Sequence, residues 1–159
     1  MASMALFFTD VYTTYAQSSE VIRYRAWYRE ATTLNGAEKM AEEMTLEWKT
    51  QPEDAFTLGF LAVSELMLAD HAWNPLDKLA QFLEWQPQLD QAIDQRPDDP
   101  DLAFLRLGVQ IHAPALLDYQ SDIEHDKTLV SQALLAGHWK EDPVHESFVQ
   151  DFLNYIQGL

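Results

Sequence analysis

Residues 95–104 read QRPDDPDLAF, with two prolines and three aspartates close together, and residues 50–56, TQPEDAF, echo the second half of that stretch. Proline at the first helical position gives up nothing, because that N–H has no partner inside the helix, and an Asn or Asp before it can cap the amides that follow. Gln51-Pro52, Asn74-Pro75, Asp99-Pro100 and Asp142-Pro143 therefore each read as a helix start. Ser121 with Glu124 reads as a capping box, Ser18-Ser19 before Glu20 as a cap, and Asn35-Gly36 and Gly137 as helix ends.

Between these marks the apolar spacing is helical. Met40, Met44 and Trp48 recur every four residues, Leu79, Phe82, Leu89 and Ile93 keep one face, and Val144, Phe148, Phe152 and Ile156 keep another. Alternating strand patterns bounded by hairpin turns are absent from the sequence. The pattern predicts helices near 20–34, 37–49, 53–72, 76–95, 101–112, 121–136 and 143–157, with a further one over 5–16. Pro87 falls inside the fourth, where it removes a hydrogen bond and should bend or break the helix.

The echo then acquires an architectural meaning. Pro52, Glu53, Ala55 and Phe56 match Pro100, Asp101, Ala103 and Phe104 at a constant offset, and self-similarity over about 20–50 residues marks stacked helical hairpins. Ala92, Pro97, Asp98-Asp99 and Ala103-Phe104 resemble a junction between tetratricopeptide repeats, although the Trp, Leu-Gly and Tyr pattern of that family's first helix is not reproduced. The stretch Ala72 to Lys127 is similar to a group of small bacterial helical proteins without an assigned activity. Both resemblances imply a fold: an all-α chain of stacked antiparallel hairpins, a tetratricopeptide-like right-handed superhelix closed by a C-terminal helix. The expectation is one helical domain over 1–159, with 1–18 an extra N-terminal helix or a flexible segment.

Composition narrows the chemistry. With 26 Asp plus Glu against 10 Lys plus Arg, the net charge of -16 repels phosphate backbones and anionic headgroups, which sets nucleic acid aside. The chain has no cysteine, so disulfides, thiolate zinc sites and cysteine nucleophiles are excluded. No segment approaches the ~18 uncharged apolar residues of a membrane span. The opening run Met4 to Phe8 is short and no basic residue precedes Arg23, so a cytoplasmic location is expected, with an exported form as the alternative.

The candidate sites are few. Arg23, Arg25 and Arg29 within RYRAWYRE form the one basic and aromatic cluster, able to grip a carboxylate bidentately, or else to pair with the surplus of internal acids. Arg106 is isolated in an apolar helix, as is Glu65; it is an internal ion-pair member or an anchor for an acidic peptide end. Asp122, His125 and Asp126, with Asp142 and His145, have the spacing of metal ligands on helices, yet first-turn acids and caps explain them as well. Trp73, Trp85 and Trp139 read as packing residues at helix boundaries. Neither a cofactor nor a metal is expected, and no nucleotide-binding or hydrolase motif occurs. A protein-interaction or scaffold module holding a protein or peptide, acidic by charge complementarity with the arginines, is the favoured function. A metal-dependent helical enzyme at His125 and Asp126, or a domain holding a small apolar ligand, are the alternatives.

Overall fold

The computed structural model describes residues 19–159, all of whose regular structure is helical. In chain order the helices are α1 (19–30), α2 (Leu34–Thr50), α3 (Ala55–Asp70), α4 (Pro75–Gln95), α5 (Pro100–His112), a 3-10 turn (Ala115–Leu117), α6 (Ile123–Leu135) and α7 (Pro143–Gln157). The expected helix over 5–16 and Ser18 of the expected Ser18-Ser19 cap lie outside the described residues, and Ser19 is the first helical residue described.

Three proline starts are built as their chemistry dictates. Asn74 Oδ1 accepts from the Leu76 amide, Asp99 Oδ1 from the Asp101 and Leu102 amides, and Asp142 Oδ1 from the His145 amide. The fourth is corrected: Pro52 lies in a turn and α3 begins three residues later, because Asp54 takes both the amide and the hydroxyl of Thr57 and so fixes the first turn there. The two halves of the echo thus start their helices in different registers. The boundary between α1 and α2 is corrected as well. Thr33 Oγ1 caps the Gly36 amide, so Asn35 and Gly36 sit in the first turn of α2 instead of ending α1. Any Cβ on Gly36 would run into the Glu30 carbonyl, which is why the reversal needs glycine. The Ser121 capping box does not form; Ser121 donates to Asp122, and α6 starts without a side-chain cap. Gly137 does end α6, with φ +76°, a conformation that favours glycine. Across Pro87 α4 runs unbroken. That proline lies on the exposed side of the helix, where water can reach the Leu83 carbonyl that lacks its donor.

One apolar core draws residues from all seven helices. Its centre is α3, buried on every side from Phe56 to Ser64, and it packs against α2, α4 and α5; α5 packs on α6 and α6 on α7. Gly59 lets Leu102 of α5 approach α3, and Gly108 gives room to the Tyr28 hydroxyl, whose oxygen would lie 2.8 Å from an added Cβ. Helix α1 is held by aromatic contacts: Tyr24 against Phe56 and Phe60, and Tyr28 edge-on to Phe104 and Phe148. No helix among the described residues is long and apolar enough to cross a membrane.

Candidate functional site

Asp101, two residues after the cap of α5, is the hub of the interior charge. Its Oδ1 accepts from Arg25 Nε at 2.8 Å and Trp139 Nε1 at 2.9 Å, and its Oδ2 from Arg25 Nη2 at 2.7 Å and His138 Nε2 at 2.9 Å. A carboxylate offers about four lone-pair positions, so this one is saturated. Burial alone would raise its pKa; the bonds from His138, Arg25 and Trp139 overcome that and hold it far below the ordinary carboxylate range. Because a carboxylate only accepts, the His138 proton sits on Nε2.

Behind this hub lies a polar group that is less well served. Asp142 spends Oδ1 on the α7 cap, while its buried Oδ2 faces Arg29 Nη1 at 3.6 Å and Arg25 Nη1 at 3.9 Å, beyond hydrogen-bond reach. Neither ring nitrogen of His145, 1% exposed, makes a hydrogen bond, although Nε2 lies 4.0 Å from Asp101 Oδ1. Burial, against the opposing pull of the Asp101 charge and with help from Arg25 and Arg29, pushes its pKa down to about 4, so the ring is neutral at pH 7.

The four arginines singled out in the sequence each have a carboxylate partner within the chain. Arg23, about half exposed, bonds Glu47 and lies over the Trp27 ring. Arg25 is buried on Asp101, and Arg29 points at Asp142. Arg106 makes a bidentate pair with the fully buried Asp126, both bonds at 2.7 Å, with Asp122 at 3.7 Å and Gln110 also donating to Asp126. Asp126 is thereby occupied, while His125 beside it is mostly exposed. Among the described residues no group of three or more His, Asp or Glu side chains has an arrangement that would hold a metal ion. A cleft of ≈ 260 Å³ between Trp48, Pro52, Asp54, Leu58, Gln91 and Gln95 falls below the roughly 300–1,000 Å³ typical of small-molecule sites.

The outer side of α4 is different in kind. Only Leu89, Ala92 and Ile93 of this helix are buried, all near its C-terminal end. Leu76, Leu79 and Leu83 are 72%, 40% and 61% exposed, and Ala80 and Pro87 are exposed too. At spacings of three and four residues these five positions form one stripe, turned away from the face that carries Trp85 and Leu89. Trp73, just before the helix, is 98% exposed. Sequence reading assigned Leu79 to a core face and Trp73 to packing. The usable signal was that α4 is apolar on two sides, with Leu76, Leu79 and Leu83 falling on a face that Trp85 and Leu89 do not share. No protein-family model, curated protein or solved structure matches this chain.

Proposed function

We propose that the protein is a helical-hairpin array acting as a protein-interaction module, and that its docking surface is the outer face of α4. The observation that carries this reading is the second apolar face of that helix, a contiguous stripe headed by a tryptophan in full contact with water. Burying such a stripe gives about 25 cal/mol per Å² of apolar area, and tryptophan is among the side chains that most often dominate binding. The packing of α3 against α5, the first helices of successive hairpins, supports the array reading. An acidic ligand on the arginines has less support, since Arg25, Arg29 and Arg106 each face a buried carboxylate.

The test is hydrogen exchange on a complex reconstituted from the purified chain and its native partner. Protection is expected over 73–87, and Leu79→Asp with Leu83→Asp should abolish the complex without moving Tm. Protection that maps to α1 or to the cleft beside Trp48 would overturn the reading.

A further inference from the structure

Which partner the α4 stripe would take follows from the charges beside it. Asp77 and Glu84, both exposed and seven residues apart, form one border of the stripe two helical turns long. Along its whole length α4 carries four carboxylates and one lysine, and that lysine, Lys78, is taken up by Asp70. Glu84 also faces Glu65 of α3. Among the described residues neither is in an ion pair, and burial together with Glu84 raises the pKa of Glu65. An apolar strip edged by uncompensated acid is half of an amphipathic helix-in-groove interface, and the missing half is apolar in the middle and basic at the edge.

Resting on the docking reading above, we infer that the partner presents an amphipathic helix whose apolar side covers Trp73, Leu76, Leu79 and Leu83 and whose Lys or Arg residues meet Asp77 and Glu84. A second copy of this chain fits poorly, because pairing two α4 faces would bring together two molecules of charge -16. The chain's own residues 1–18 lack the basic edge, since they contain no Lys or Arg.

The experiment uses the full chain and three synthetic helical peptides of about 18 residues, five turns, with one leucine face flanked by Lys, by Gln or by Glu. Binding is read by calorimetry and from a blue shift of tryptophan emission that is absent in Trp73→Phe. The Lys peptide should bind roughly tenfold or more tightly than the Glu peptide, with the advantage shrinking in salt. Asp77→Lys with Glu84→Lys should reverse the order, and Leu79→Asp with Leu83→Asp should end binding of all three. Equal binding of the Lys and Gln peptides would overturn the basic partner while leaving α4 as the docking face. No binding of any peptide would overturn both, and the free chain sedimenting as a dimer would then identify a second copy as the occupant.

Discussion

Asp101→Asn keeps the shape of the side chain but puts an NH₂ group against donors and leaves the buried Arg25 without its hydrogen-bonded counter-charge. The expected cost is about 3–5 kcal/mol, the range for removing one partner of a buried ion pair, read as a lower urea midpoint at unchanged m. A loss under about 1 kcal/mol would contradict the saturated hub. Gly59→Leu should cost about 1–3 kcal/mol by overpacking against Leu102, and Gly108→Leu a similar amount against Tyr28; thermal unfolding checks both. At this scale the caps Asn74, Asp99 and Asp142 are legible in the sequence because donor and acceptor lie within three residues of each other. The role of Asp101 is not, since Arg25, His138 and Trp139 reach it from distant parts of the chain and leave no local pattern.

Among the helices, α5 and α7 are legible almost to the residue because cap, proline and apolar period coincide. The start of α3 is not, because Pro52 competes with Asp54 and the aspartate makes two bonds where the proline makes none. Helix α7 carries the acid-sensitive group. His145 has a folded pKa of about 4 against an ordinary value of 6.5, so between those values the unfolded chain binds the extra proton and stability falls as pH falls. The contribution is fully present above about pH 6.5 and amounts to about 3 kcal/mol lost by pH 4. Asp101, whose pKa is depressed, acts later: its contribution is lost only below the ordinary carboxylate range near 3.8. Glu65, with a raised pKa, works in the opposite sense, so the variant that isolates the histidine is His145→Phe. Its Tm should vary less between pH 7 and pH 4 than that of the natural chain, and an unchanged slope would refute the assignment.

For the molecule as a whole, the acidic balance visible in the composition is carried outside while most of the arginines are drawn inward, an arrangement that residue counting cannot foresee. The helical class was readable because it rests on periodicity. The exposed apolar face of α4 was not, because an apolar residue on a helix gives no sign of whether the core covers it or leaves it in water. Repulsion among the surface acids opposes the compact state and is screened by salt, whereas the buried pairs are screened little. Raising NaCl from 0.05 to 0.5 M should therefore increase stability by about 1 kcal/mol, roughly 3 °C in Tm for a chain of this size. A fall in Tm would mean that exposed pairs such as Arg23–Glu47 dominate.

The Asp101 hub ties residues 76 apart to Arg25 and 38 apart to Trp139. Contacts of such separation cost the most chain entropy to close, so neighbouring helices should pair before this knot is drawn. Bonds made after the rate-limiting step govern how fast a protein comes apart more than how fast it assembles. Asp101→Asn should therefore steepen the loss of native molecules over time, with an unfolding rate raised by orders of magnitude and a folding rate nearly unchanged. In that sense the aspartate works as a latch on the lifetime of the folded chain.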